Sequence, residues 1–165
     1  MKYILLISIP VILALLLLTG CSGERVAEEG DSVTVHYTGS LEDGTVFDSS
    51  VGKDPLTFTI GAGTVITGFD AAVRGMKVGE TKTVTLTPDQ AYGEYNDGLI
   101  ITLEISQIPS SINLELGENI PLQNNAGQVF VGKIIGIGLT TITVDANHEL
   151  AGRTLIFEIE LVSIN

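Results

Sequence analysis

The amino-acid sequence predicts an α+β fold that is built mainly from antiparallel strands, with one short helix packed on them. Beyond its first twenty residues, most of the chain alternates apolar and polar residues with a period of two. Such alternation is typical of strands that bury one face. Short clusters of Gly, Pro and Asp separate the alternating segments and indicate turns. A single stretch has apolar residues at helical spacing instead, which predicts one helix.

The predicted strands follow one another from residue 33 to the end of the chain. Their alternating apolar positions are, in chain order, Val33, Val35 and Tyr37; Phe58 and Ile60; Val84 and Leu86; and Leu155, Phe157, Ile159 and Leu161. Turns are predicted at Glu42-Asp43-Gly44, Lys53-Asp54-Pro55 and Gly61-Ala62-Gly63. The last strand shows the clearest alternation.

The helix is predicted to begin at Thr67 and to end near Gly75. Its apolar positions are Phe69, Ala72, Val73 and Met76. Thr67 and Asp70 stand three residues apart and suit a capping pair, and Gly75 suits a left-handed end. A helix of about two turns is unstable alone, so we expect its apolar face to pack on the sheet.

Residues 97–144 differ in composition from the rest of the chain. They are poor in aromatic residues, rich in Ile, Val and Gly, and carry strand patterns of their own around Val129–Val131 and Ile142–Val144. Two interpretations are open on pattern alone. This segment forms a separate small β unit inserted into the first domain, or all the strands join one sandwich.

The N-terminal residues predict an export signal. The uncharged run Tyr3–Gly20 follows Lys2 and ends in small residues before Cys21, the only cysteine. A run of about 18–20 apolar residues is also just long enough to span a membrane, so a retained anchor is the alternative. Leu18-Thr19-Gly20-Cys21 resembles the lipobox of bacterial and archaeal lipoproteins. We therefore expect residues 1–20 to be a signal peptide and Cys21 to be lipidated. The protein would then be exported and lipid-anchored at the membrane, on its extracytoplasmic face or in the periplasm.

The acidic composition argues against nucleic acid as a partner, because nucleic acids are bound by positive charge. Beyond residue 20 the chain carries 7 basic and 20 acidic residues, a net charge of −13. The sequence predicts no metal site and no cofactor. His36 and His148 lie far apart without a second His or Cys at ligand spacing, and Gly61-Ala62-Gly63 lacks the rest of a phosphate-binding pattern. Covalent and metal-dependent chemistry are therefore not expected.

Several motifs, in order, resemble those of FKBP-type peptidyl-prolyl isomerases. They are residues 35–50 (VHYTGSLEDGTVFDSS), 65–69 (VITGF), 76–80 (MKVGE), 91–93 (AYG) and 155–161 (LIFEIEL). Residues 91–95 (AYGEY) and 144–152 (VDANHELAG) resemble the SlyD-like branch, which has an insert-in-flap domain. The resemblance implies an FKBP-like half-barrel domain over residues 21–96 and 145–165. It also implies an inserted domain at 97–144 with chaperone-like client binding.

The resemblance further implies a site for proline-containing peptides. Its catalytic residues would be Tyr37, Phe47, Asp48, Ile66, Phe69, Tyr92 and Phe157, with Leu56, Val65 and Leu150 as further substrate contacts. Phe69 would form the floor under the proline ring. The N–H of Ile66 and the hydroxyl of Tyr92 would bind the flanking carbonyls.

In the same family, Asp48 would either orient Tyr37 or face the twisted carbonyl. The expected partners are unfolded or proline-containing polypeptides, and the protein is expected to act as a monomer. Relatives often have larger aromatic side chains where Leu56 and Phe69 stand. The smaller residues here favour an alternative, namely a lipid-anchored module that binds proline peptides or acts as a chaperone but catalyses weakly.

Overall fold

The computed structural model describes residues 24–123 and 127–165. The predicted signal peptide and the predicted lipidation site Cys21 lie outside the described residues. Within the described ranges, none of the helices has the length and apolar character needed to cross a membrane. The predicted α+β class is confirmed, since the regular structure of the described residues consists mainly of two antiparallel sheets with one short α-helix.

The described residues form nine β-strands. In chain order, they are β1 (Ser32–Leu41), β2 (Val46–Ser49), β3 (Leu56–Thr59), β4 (Thr81–Leu86), β5 (Ile100–Glu104), β6 (Asn119–Gln123), β7 (Val129–Ile137), β8 (Thr141–Asp145) and β9 (Leu155–Ile164). The α-helix α1 is Thr67–Val73, and 3-10 turns occur at Pro88–Gln90, Asp97–Leu99 and Ile105–Gln107.

The first sheet has five strands, in the order β2-β1-β9-β4, with β3 pairing the N-terminal half of β1. The last strand, β9, pairs antiparallel with both β1 and β4 and therefore lies inside the sheet. Its inward positions Leu155, Ile159 and Leu161 are fully buried, as the alternation predicts. The first sheet is therefore complete only when β9, the last strand of the chain, has paired with both β1 and β4.

The helix α1 packs its predicted apolar face on the first sheet. Val73 and Met76 are fully buried, and Phe69 is 3% exposed. The helix ends at Val73 with Arg74 as its C-cap, and Gly75 lies in the turn that follows, with a φ of 79°, a conformation in which a glycine has no steric penalty. The single hydrophobic core of this domain lies between the helix and the sheet.

The predicted capping pair at the start of α1 is wrong. The N-cap residue is Ile66, and no side chain caps the first turn. The Thr67 hydroxyl donates to the carbonyl of Gln90 instead, at 3.2 Å. The Asp70 carboxylate accepts from the N–H of Gly61 at 2.7 Å and from the guanidinium of Arg74. Both side chains therefore form hydrogen bonds with other groups and do not cap the first turn of the helix.

The second sheet has four strands in the order β5-β8-β7-β6 and encloses a core of its own. Ile134 and Ile142 are fully buried there, together with Ile120 and Val144. The chain leaves the first sheet after β4 and returns to it only at β9. The strand patterns that the sequence shows around residues 129–131 and 142–144 are confirmed as β7 and β8.

Two connecting segments cross between the sheets and are hydrogen-bonded to each other. The backbone N–H of Asn96 donates to the side-chain oxygen of Asn147 at 2.9 Å, and the side-chain amide of Asn147 donates to the Asn96 carbonyl at 3.0 Å. The Tyr95 hydroxyl donates to Asp145 at 2.8 Å. We call these four residues the linker junction.

Candidate active site

A pocket of about 370 Å³ opens between the first sheet, the helix start and the segment after β4. Nine of the ten predicted pocket residues line it, namely Tyr37, Phe47, Asp48, Leu56, Val65, Ile66, Phe69, Tyr92 and Phe157. They come from six separate parts of the chain. Gly63 and Thr64 also line the pocket and were missed by sequence reasoning. The signal that could have found them is their position directly before Val65 in one continuous loop.

Leu150 does not line the pocket. Its side chain packs against the first hydrophobic core, and its backbone N–H donates to the imidazole Nδ1 of His148 at 3.2 Å. Leu150 is therefore not part of this pocket, and its contact with substrate stays a prediction. The turn through Ala151 and Gly152 directs this leucine inward, because the Ala151 N–H bonds back to the His148 carbonyl.

Aromatic rings packed edge-to-face form the floor and one wall of the pocket. The Phe69 ring centroid lies 5.3 Å from that of Phe157 and 5.7 Å from that of Tyr37, with interplanar angles of 81° and 85°. Phe47 packs on Phe157 in the same way, at 5.7 Å. Such edge-to-face pairs are the favoured geometry of aromatic side chains. The rings therefore support one another and together form the apolar surface of the pocket.

Gly39 allows two of these rings to lie over strand β1. A β-carbon at this position would stand 2.6 Å from the Phe47 ring and 2.9 Å from the Phe157 ring. Real side chains do not approach this closely, so any larger residue would push the wall of the pocket outward. The glycine in the Thr38-Gly39 pair of the sequence thus has a steric role in shaping the site.

Tyr37 and Asp48 form the polar side of the pocket. The Tyr37 hydroxyl donates to Asp48 Oδ2 at 2.5 Å, and the backbone N–H of Ser49 donates to Oδ1 at 2.8 Å. Burial first, and then the hydrogen bond to Asp48, raises the pKa of Tyr37 to about 12. Tyr37 therefore remains a protonated donor at neutral pH, and both carboxylate oxygens of Asp48 are already bound.

The loop that carries Val65 and Ile66 is fastened to the helix. Asp70 is buried at 7% exposure and accepts from the loop N–H of Gly61, while Arg74 binds the other carboxylate oxygen at 2.8 and 2.9 Å. The Ile66 carbonyl accepts from the N–H groups of Phe69 and Asp70. These bonds fix the plane of the peptide that follows Ile66 at the edge of the pocket.

Tyr92 closes the pocket on the side of the second sheet. It follows the 3-10 turn Pro88–Gln90, and its side chain is 39% exposed. Its ring stacks on the imidazole of His148, with centroids 3.8 Å apart and an interplanar angle of 2°. The contact with His148 was not predicted, because the two residues are far apart in sequence and neither belongs to a strand pattern.

The site offers apolar surface and hydrogen-bond donors. Among the described residues, no group of three or more His, Cys, Asp or Glu side chains is placed to hold a metal ion. The arrangement can bind an apolar ring against Phe69 and can hold neighbouring carbonyl groups at the rim. It suits a change of shape in a bound peptide, in which no covalent bond forms or breaks.

Comparisons with known proteins agree with this geometry. The family model described as "FKBP-type peptidyl-prolyl cis-trans isomerase" matches residues 23–162. A probable FKBP-type 16 kDa peptidyl-prolyl cis-trans isomerase of Pseudomonas fluorescens is 33% identical over 143 residues, covering 86% of this chain and 93% of the relative. A short-type peptidyl-prolyl cis-trans isomerase of Methanocaldococcus jannaschii is 34% identical over 156 residues, covering 83% of this chain and 93% of the relative.

A SlyD protein of Aeromonas hydrophila, also an FKBP-type peptidyl-prolyl cis-trans isomerase, is 35% identical over 132 residues. That match covers 80% of this chain but 61% of the relative, so the chain spans about three fifths of its length. The matches to the Pseudomonas and Aeromonas proteins both extend across most of the chain.

Proposed function

The chain belongs to the FKBP-type peptidyl-prolyl cis-trans isomerase family and is an enzyme of that type, and we propose that it acts on incompletely folded, exported polypeptides at the pocket above Phe69. The observation that supports this choice of site is the ring-lined pocket itself, which collects aromatic residues from distant strands around one opening. Its size suits a proline ring with the residues on either side.

The reaction is rotation about an X–Pro amide bond, which is slow because the planar amide is stabilised by resonance. Without a catalyst it takes about 10–100 s at 25 °C, against a barrier of roughly 20 kcal/mol. In the twisted state the amide loses resonance and its carbonyl becomes less polar. An apolar pocket therefore favours the twisted form over the well-solvated planar form. A thousandfold acceleration needs only about 4 kcal/mol of such preference.

The residues around the pocket suit three roles in this rotation. Phe69 holds the proline ring, while the N–H of Ile66 and the hydroxyl of Tyr92 bind the carbonyls that flank the reacting bond. Asp48 accepts the Tyr37 hydroxyl at 2.5 Å and so holds that ring upright against the floor. An orienting role for Asp48 is favoured over contact with the twisted carbonyl, because both of its oxygens already accept hydrogen bonds.

The experiment that tests this site compares two tyrosines. Tyr92→Phe removes the hydroxyl at the pocket, whereas Tyr95→Phe removes a hydroxyl that bonds to Asp145 outside it. With a proline tetrapeptide as substrate, kcat/KM should fall about fivefold for Tyr92→Phe, since one lost hydrogen bond is worth roughly 1 kcal/mol. The Tyr95 variant should stay near wild type. Equal activity in the two variants would show that the pocket is misassigned.

We also propose that the second sheet binds unfolded clients, as a chaperone module would. Strand β7 presents an exposed aliphatic face of Val129, Val131, Ile135 and Ile137, which are 46–69% exposed. Ile134 and Ile142, by contrast, form the core of this sheet. Such an exposed aliphatic face can bind an unfolded chain through apolar contacts with little sequence preference.

Two variants test the client site. In the first, two glycines replace residues 97–146, because the flanking Asn96 and Asn147 are already bonded to each other. In the second, Val131→Thr and Ile135→Thr remove apolar surface, with Val78→Thr on the first domain as control, since Val78 is 56% exposed. Both should spare turnover of small peptides and lower catalysis of proline-limited protein refolding. Equal losses on both substrates would contradict a separate client site.

We propose further that lipidated Cys21 anchors the enzyme at the membrane. The chain is docked from Ala27 onward, which is buried and whose N–H bonds to the Met76 carbonyl at 2.8 Å. The six residues from Cys21 to Ala27 reach at most about 20 Å, so the domain would lie close to the bilayer. Mass spectrometry of the native N-terminus should find acylated Cys21, and an unmodified N-terminus would refute the anchor.

The alternative is a lipid-anchored module that binds proline peptides but turns them over weakly. Leu56 and Phe69 are smaller than the aromatic residues that relatives often have at these positions, which favours weaker contact with the proline ring. The peptide assay separates the two functions directly. Turnover barely above the uncatalysed rate, with retained peptide binding, would favour the binding module.

A further inference from the structure

The stacked pair of Tyr92 and His148 joins the pocket to the second connecting segment. The rings are parallel within 2°, and their centroids are 3.8 Å apart. Tyr92 lines the pocket, while His148 lines a separate polar cleft between the connecting segments and β7. The ring pair is therefore the wall between these two cavities.

The histidine is held in place independently of the tyrosine. Its Nδ1 accepts the backbone N–H of Leu150 at 3.2 Å, so the neutral ring carries its proton on Nε2. Its carbonyl accepts the N–H of Ala151 at 2.9 Å. The preceding residue, Asn147, is bound to Asn96 and Asp145 in the linker junction. The imidazole plane is thus fixed by the backbone of its own turn.

The tyrosine lacks a comparable support of its own. Its side chain is 39% exposed, so packing restrains it only on one side. The ring contact that the described residues provide for Tyr92 is the one with His148. A ring on a short turn with so much exposed surface is free to change rotamer unless a neighbour covers one face.

We propose that His148 is a positioning residue that holds the Tyr92 ring upright, with its hydroxyl at the rim of the pocket. This inference rests on the proposed role of the Tyr92 hydroxyl in binding a substrate carbonyl. His148 does not touch substrate. It acts through the flat face that it presents to Tyr92, and the hydrogen bonds between Asn96 and Asn147 hold the segment that carries this face.

Three variants test the inference. His148→Ala removes the face, and kcat/KM for a proline tetrapeptide should fall about two- to tenfold, the range expected for loss of one aromatic contact. His148→Phe keeps a flat face but lacks the Nδ1 acceptor, so it should retain clearly more activity than His148→Ala without reaching the wild type. In the Tyr92→Phe background, His148→Ala should cause no further loss, because the hydroxyl that it positions is already absent.

A spectroscopic measurement accompanies the kinetics. Ring protons of Tyr92 should be shifted upfield in the wild type and in His148→Phe, and they should move toward ordinary values in His148→Ala. Because His148 is exposed, the urea midpoint should be nearly unchanged in both variants.

Several outcomes would overturn the inference. Full activity of His148→Ala would overturn it. Equal losses of activity in His148→Ala and His148→Phe would also overturn it, because they would point to the Nδ1 hydrogen bond instead of the ring face. Independent, multiplying losses in the double variant would show that His148 does not act through Tyr92. If Tyr92→Phe itself has full activity, the proposed role of the hydroxyl fails first, so the two failures are distinguishable.

Discussion

Phe69 provides a test that separates catalysis from folding. Its side chain is 3% exposed, and its ring packs edge-on against Tyr37 and Phe157. Phe69→Ala would leave a cavity of about one phenyl ring in this cluster, at a cost of about 3–5 kcal/mol in unfolding free energy. A domain is typically stabilised by roughly 5–15 kcal/mol in total. Loss of activity in this variant would therefore mix damage to the pocket with damage to the fold.

Leucine is the more informative replacement at this position. Phe69→Leu keeps much of the volume, and we expect a loss of roughly 1–2 kcal/mol in unfolding free energy. Phe58 offers a matched control. It is 6% exposed and packs on Phe69 with centroids 5.8 Å apart, but it does not line the pocket. Phe58→Leu should cost a similar amount of stability.

The assay combines urea unfolding, followed by circular dichroism, with turnover of a proline tetrapeptide. Both leucine variants should unfold at a urea concentration lower by up to about 1 M, given typical urea dependences. We expect kcat/KM to fall about tenfold for Phe69→Leu, or about 1.4 kcal/mol of transition-state stabilisation, because the flat floor is lost. Phe58→Leu should stay within about twofold. Equal losses of kcat/KM in the two variants would refute the assignment of Phe69 as the pocket floor.

Two further predictions concern the polar groups beside the pocket. The folded pKa of Tyr37, about 12, lies above the ordinary value of 10.0, so its protonated form stabilises the fold below pH 10, and this contribution is lost as the pH rises through 12. In an ultraviolet titration of tyrosinate, Asp48→Asn should lower the pKa of Tyr37 only partly, because burial is the larger cause; no change would show that Asp48 does not bind the hydroxyl. Asp70→Asn should lower the free energy of unfolding by about 2 kcal/mol, since it weakens charge-assisted hydrogen bonds of a buried carboxylate. Glu29→Gln, which changes the exposed partner of Arg74, should cost much less. Equal urea midpoints in these two variants would contradict the loop-fastening role of Asp70.

Local patterns predicted six of the nine described strands, whereas β2, β5 and β6 were not predicted, and the motif resemblance identified most pocket residues. Alternation at Leu155, Ile159 and Leu161 predicted the buried face of β9, because side-chain direction in a strand is set by the backbone itself. The motif resemblance placed Phe69 and Tyr92 at one site, although they lie in different segments. The pattern could not show that β9 lies inside the sheet, since pairing of β9 with β1 and β4 depends on the path of the whole chain.

Two residues have contacts that the local pattern did not predict. Asp70 has the right spacing for a helix cap, but in the folded chain it binds the Gly61 N–H and the Arg74 guanidinium instead. Leu150 lies in a motif of the site, but its side chain packs against the first hydrophobic core. In both cases the folded chain decided between alternatives that the local sequence leaves nearly equal.

The sequence by itself determined the class of fold and the apolar faces of the strands and helix. These features follow from propensity and periodicity, which act over a few residues. The residues of the aromatic pocket were identified by the resemblance of several motifs to those of a known family. Only the tertiary structure decided how the rings meet, through the close approach at Gly39, and which neighbour supports Tyr92. Such contacts join residues far apart in the chain, and their geometry exists only once the two connecting segments have been brought together by folding.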